Sequence, residues 1–79
     1  MQTKFKRHSM VKILNVPDSE TLEYNFEDND EADKVEIKKG MHGKINVILP
    51  NGKYHVEILD KSGKVIAYAA FDEDSLEAI

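Results

Sequence analysis

The chain has 79 residues, no cysteine, and fifteen acids against eleven lysines and arginines, for a net charge of −4. The missing cysteines exclude disulfides and thiolate metal sites, and a chain this short forms one domain that buries only about 60–65% of the surface its unfolded form exposes. No apolar run approaches the ~20 residues of a membrane span and no apolar signal core follows the basic start, so a cytoplasmic protein with no membrane partner is expected.

Charge falls in blocks. Residues 1–17 carry Lys4, Lys6, Arg7 and Lys12 and no acid; residues 18–36 carry nine acids against Lys34; residues 37–64 carry six lysines against Glu57 and Asp60; the tail adds Asp72, Glu73, Asp74 and Glu77. Blocks of alternating sign can neutralise one another across a fold.

In chain order, residues 1–8 read as a flexible basic arm. Met10 to Val16 is β-branched and forms a first strand, ended by Pro17-Asp18-Ser19. The stretch Thr21 to Glu27 alternates, with Leu22, Tyr24 and Phe26 on one face, which predicts a strand inside an acidic insert spanning 18–36. Val35 and Ile37 suggest a further short strand. Lys39-Gly40-Met41-His42-Gly43 turns the chain on its glycines.

Lys44 to Leu49 and Tyr54 to Leu59 flank Asn51-Gly52, the sequence signal of a two-residue hairpin loop. Such a loop sets Leu49 opposite Tyr54, Val47 opposite Val56 and Ile45 opposite Ile58, all apolar and all on one face. Asp60-Lys61-Ser62-Gly63-Lys64 is the second turn, before a strand from Val65 to Phe71. A two- or four-residue loop there turns Ala67, Ala69 and Phe71 inward, and a three-residue loop with a bulge at Gly63 turns Ile66, Tyr68 and Ala70 inward. The first is preferred, because small alanines suit a crowded interior. Asp72 to Leu76 reads as a 3₁₀ turn that delivers Leu76 to the core, and Glu77-Ala78-Ile79 as a closing strand. No helix is long enough to cover a sheet face. The expected fold is therefore all-β, a partly open antiparallel barrel of five or six strands.

Lys39-Gly40-Met41-His42-Gly43-Lys44-Ile45, Tyr54 to Ile58, Asp60 to Lys64 and Leu76 together resemble a small, uncharacterised bacterial family of SH3-like barrels of the KOW type. The resemblance covers the C-terminal half and implies a fold rather than a chemistry, since its motifs are glycines and strand residues. It implies no catalytic residue. The acidic insert at 18–36 departs from such barrels, which pass directly from the first strand to the glycine turn.

Candidate chemistry is sparse. Asn25, Glu27, Asn29, Glu31, Asp33 and Glu36 match the spacing of a calcium loop, but Asp30 stands where its sharp turn needs glycine, and no helices flank it. His8, His42 and His55 have no zinc spacing, and Ser62 and Ser75 lie in no nucleophile elbow. No cofactor, metal or enzymatic activity is expected. A protein-binding module, engaging another protein or a second copy of itself, is the preferred expectation. Its surface would be an outer-face stripe of Ile48, His55, Leu59, Ile66 and Tyr68. In that arrangement Ile48 faces His55, Leu59 faces Ile66 and Glu57 faces Tyr68. Asp28, Asp30 and Glu31 could meet a basic partner. The alternative is an RNA- or DNA-binding barrel using Lys38, Lys39, Lys44, Lys53, Lys61 and Lys64, with Lys4, Lys6 and Arg7 extending the patch. The acidic balance and the lack of interleaved aromatic residues count against it.

Overall fold

Residues 4–17, 20–27 and 36–79 are described by a computed structural model of the chain. They form six antiparallel strands in one open sheet: β1 (Met10–Ile13), β2 (Glu23–Tyr24), β3 (His42–Ile48), β4 (Tyr54–Leu59), β5 (Val65–Phe71) and β6 (Leu76–Ala78). The order across the sheet is β2-β5-β4-β3-β1-β6. Among the described residues the one helical element is the 3₁₀ turn Glu73–Ser75, just before β6.

Both hairpins around β4 use three-residue loops. In the first, the Gly52 N–H donates to Leu49 O (3.2 Å) and the Leu49 N–H to Lys53 O (2.8 Å). In the second, the Gly63 N–H donates to Asp60 O (3.0 Å) and the Asp60 N–H to Lys64 O (2.9 Å). Gly52 and Gly63 close the loops at φ 84° and 85°, the left-handed region that favours glycine. Pro50 follows Leu49 at the position where its fixed φ suits a type I turn. The two-residue loop expected at Asn51-Gly52 is therefore corrected. It needs both central residues at positive φ, and Asn51 is not there.

An odd loop reverses the parity of the next strand, and each hairpin restores it with a bulge. On β3, Ile45 pairs with Val56 and Val47 with His55, leaving Asn46 without an opposite residue. On β5, Ala67 pairs with Ile58 and Val65 with Leu59, leaving Ile66 unmatched. The expected register Leu49–Tyr54, Val47–Val56 and Ile45–Ile58 is replaced by Ile48–Tyr54, Ile45–Val56 and Gly43–Ile58. Val47 turns outward and is 41% exposed. The preferred inner set of Ala67, Ala69 and Phe71 is indeed buried, reached through the other loop plus a bulge.

The inner face runs in rows across the sheet. Ala67, Ile58, Gly43 and Val11 are successive cross-strand partners, as are Ala69, Val56 and Ile45, and Phe71, Tyr54 and Ile48. All but the half-buried Ile48 are buried. With no helix over it among the described residues, this face is buried mainly by the sheet itself. From β5 to β6 is four steps in the sheet, roughly 19 Å if flat. The link is only Asp72–Ser75, shortened further by its 3₁₀ turn, so the sheet must curl. β6 then pairs with β1, Ile13 opposite the buried Leu76.

The N-terminal segment helps to close the curl, and the flexible arm expected at residues 1–8 is corrected from Lys4 onward. Phe5 is buried and sets its ring edge-on to Tyr54, centroids 5.4 Å apart. The Tyr54 hydroxyl accepts the Phe5 N–H (3.3 Å) and donates to Glu73 Oε2 (2.7 Å). The Lys4 N–H reaches the same carboxylate oxygen (3.3 Å). His8, at φ 70°, donates its N–H to Ile45 O (2.7 Å), and the Ile45 N–H returns to Ser9 O (2.9 Å), which prolongs the β1–β3 ladder.

The acidic insert supplies less strand than its alternation suggests. β2 has two residues, and Phe26 is 52% exposed rather than buried. Asn25 turns inward instead. Its N–H donates to Ile66 O (2.8 Å) and its side-chain amide to Val65 O (3.1 Å), so it satisfies carbonyls at the β5 bulge. Ile37 is buried but lies in no strand, and Val35 falls outside the described residues.

Of the two turn glycines, Gly40 has φ 93° and Gly43 does not have positive φ. Gly43 is needed for space, because a Cβ there would lie 2.6 Å from Val56 Cγ1 and 3.2 Å from Glu57 O. Gly43→Ala should therefore destabilise the fold by about 1–3 kcal/mol, measured by chemical denaturation. Tyr54→Phe should cost about 1–2 kcal/mol by removing the hydroxyl's hydrogen bonds with the Phe5 N–H and Glu73. Burial, then the hydrogen bond to Glu73, hold the Tyr54 hydroxyl above its ordinary pKa of 10.0. The folded state thus keeps this proton longer than the unfolded chain. The resulting stability is complete below about pH 10 and is lost as pH rises through the folded-state value. A spectrophotometric titration showing Tyr54→Phe to abolish a late phenolate transition checks the assignment.

Candidate functional site

The outer face of the sheet has no element over it among the described residues, and it too is ordered in rows. Met10, Lys44, Glu57, Tyr68 and Glu23 are successive partners across β1, β3, β4, β5 and β2. The neighbouring row is Val47, His55 and Ala70. His55 and Tyr68 lie diagonally across β4 and β5 with rings stacked, centroids 5.7 Å apart and planes 14° from parallel. The bulge residue Asn46 places its amide nitrogen 3.1 Å from His55 Nδ1. With the amide as donor, Nδ1 accepts and the ring proton sits on Nε2. Arg7 Nε donates to Asn46 O (3.1 Å), tying the bulge to the N-terminal segment. The result is a half-exposed aromatic pair with fixed neighbours.

The expected apolar stripe is only partly present. His55, Leu59 and Tyr68 are half-exposed, and Glu57 does face Tyr68. Ile48 and Ile66 are corrected. Ile48 packs against the core opposite Tyr54 because the Asn46 bulge reverses its face. Ile66 is fully buried at its own bulge, and Leu59 faces Val65 in its place. Asn46 and the outward Val47 went unrecognised in the sequence; the signal for both was Pro50, which sets the loop type that demands a bulge.

The six lysines do not form one patch. Lys53 and Lys61 lie beyond opposite ends of β4, a strand roughly 17 Å long. Lys53 Nζ is 3.7 Å from Asp72 and Lys38 Nζ 3.6 Å from Glu36, both exposed pairs worth little energy. Lys44 stands directly opposite Glu57. Lys38, Lys39 and Lys61 do gather, around an open groove of about 910 Å³ between the Gly40 turn and the second hairpin loop. Asp28, Asp30 and Glu31 lie outside the described residues, as do Asn29 and Asp33 of the calcium spacing. Asn25 is committed to the β5 bulge. Among the described residues no three His, Asp or Glu side chains come together as a metal site. Nor is any helix long and apolar enough to cross a membrane.

The chain matches no protein-family model, no curated protein and no solved structure.

The second hairpin loop is held from within. Asp60 Oδ1 accepts from the Ser62 hydroxyl (2.7 Å), the Ser62 N–H (2.9 Å) and the Lys64 N–H (2.9 Å). The Ser62 hydroxyl, then the Lys64 N–H, hold the Asp60 carboxyl below its ordinary pKa of 3.8. Its contribution to stability is present above that ordinary value and is lost as pH falls through the lower folded-state value. Titration of the Asp60 carboxyl carbon by NMR should give a midpoint below 3.8. Ser62→Ala should raise that midpoint without fully restoring it, since the backbone donors remain.

Proposed function

We propose that this chain is a non-enzymatic binding module whose partner is another protein, engaged through the outer face of the sheet around His55 and Tyr68. The observation that carries this reading is the stacked, half-exposed ring pair on a face that no other element covers among the described residues. Aromatic side chains bury large area for little lost freedom, and the hydrogen bond from Asn46 lowers that cost further. Val47 and Met10, both exposed, add apolar surface on the same face, with Lys44, Glu57 and Glu23 as a mixed-charge surround.

An SH3-like barrel is part of the same reading. What supports it is the order β5-β4-β3-β1-β6 with a 3₁₀ turn before the last strand, β2 being an added edge. A cytoplasmic location fits the cysteine-free sequence. Nucleic-acid binding is the weaker alternative, because Lys38, Lys44 and Lys53 each have an acidic neighbour and the stacked rings lie apart from the lysine groove.

A photo-crosslinking residue in place of Val47, beside His55, tests the reading, with one in place of Asn51 as the control. The expected outcome is a discrete crosslinked protein from the native extract that survives nuclease treatment. Adding Tyr68→Ala should reduce it about tenfold or more, the loss typical of a central aromatic contact. Equal labelling from position 51, insensitivity to Tyr68→Ala, or loss with nuclease would each defeat it.

A further inference from the structure

We infer that the groove between the Gly40 turn and the second hairpin loop is a second binding site, built for an acidic peptide segment carrying an apolar residue. It does not depend on the surface around His55 and Tyr68. Its floor has Met41 and Leu59, both half-buried, and its rim carries Lys38, Lys39, His42 and Lys61.

Both walls are set before any ligand arrives. On one side the Met41 N–H closes on Lys38 O (3.4 Å), with Gly40 at φ 93°. The Gly40 N–H reaches Ile13 O (2.6 Å), anchoring this turn to the end of β1. The Lys38 N–H also points at Met41 Sδ (3.1 Å), which holds the thioether against its own turn. On the other side the Asp60 carboxylate is spent on Ser62 and Lys64. A ligand therefore meets a preformed cleft and loses little to ordering it. The volume, about 910 Å³, is that of a site for several residues of peptide.

Charge selects the occupant. Of the two carboxylates at the groove, Asp60 is turned into its loop and Glu36 is paired with Lys38. Lys39 and Lys61 make no ion pair among the described residues and stand on opposite walls. Two cations flanking a thioether and a leucine match an apolar side chain with acidic neighbours. They match a nucleic acid poorly, since the floor of Met41 and Leu59 offers no aromatic surface for a base. Methionine, being unbranched and polarisable, adapts to different apolar residues, so the site would accept a class of segments rather than one sequence.

The probe is a fluorescein-labelled peptide with one leucine flanked by aspartates, compared with the same peptide carrying lysines and with a single-stranded oligonucleotide of equal charge. Anisotropy titrations on the full chain should show saturable binding of the acidic peptide at low salt. NMR shifts should concentrate at Gly40, Met41, His42, Leu59 and Ser62. Lys39→Glu with Lys61→Glu, both exposed and so compatible with folding, should weaken binding about tenfold or more. Met41→Ala should weaken it about threefold to tenfold even at high salt, reporting the apolar floor. Tyr68→Ala should leave it unchanged, which separates this site from the outer face. Tighter binding of the oligonucleotide, equal binding of the lysine peptide, shifts elsewhere on the protein, or indifference to the charge reversal would overturn the inference.

Discussion

One sheet face has to be buried, and among the described residues no helix is available to bury it, so the curled sheet does so with Phe5 and Ile37 added from outside the strands. Every distinctive feature of the core follows from that constraint. Gly43 occupies an inner position where a Cβ would strike Val56, and the buried, small Ala67 and Ala69 face Ile58 and Val56 across the sheet. The short link Asp72–Ser75 draws β6 back towards the end of β5. Tyr54 then ties three parts of the chain together, its ring against Phe5 and its hydroxyl between the Phe5 N–H and Glu73. A hydroxyl buried there is tolerable because both its donor and acceptor capacities are used.

The two hairpins solve a parity problem in the same way. A three-residue loop ending in a left-handed glycine is stable locally, yet it shifts the following alternation by one. The bulges at Asn46 and Ile66 shift it back. Each bulge also leaves backbone groups to be satisfied from outside the hairpin. Asn25 does this for Val65 and Ile66, and Arg7 donates to Asn46 O. The acidic insert is thus part of the architecture, through the buried Asn25 amide as well as the short strand β2.

The all-β class, the closing role of Leu76 and the inner positions of Ala67, Ala69 and Phe71 were legible because period-two patterns and glycine turns report them directly. The registers were not. Asn51-Gly52 speaks for a two-residue loop, and only the preceding Pro50 argues otherwise. A bulge has no local signature: Ile66 reads like any strand residue, and the donor that meets its carbonyl is Asn25, forty-one positions earlier. For the same reason the outer face was half legible. His55 lies on β4, which carries no extra residue, and Tyr68 lies on the far side of the β5 bulge from the loop, so both keep the faces their alternation assigns. Ile48 and Ile66 do not, and with them the supposed apolar stripe becomes a polar-aromatic one. Phe26 fails differently, since Asn25 leaves the alternation to reach the bulge and the next residue is carried outward.

The pairing of β1 with β6 also sets an order in time. Strands β3, β4 and β5 are joined by short loops and can meet quickly, whereas Val11 meets Ala78 only after the whole intervening chain has been drawn in. Closing so long a loop is entropically slow and yields three residue pairs. The double hairpin is thus the natural nucleus, and the β1–β6 seam the last part to form and the first to open. When the seam opens, β6 leaves and β1 becomes an unsealed edge of the remaining sheet, and the rate at which β6 returns governs how long that edge is open to strand pairing with other chains.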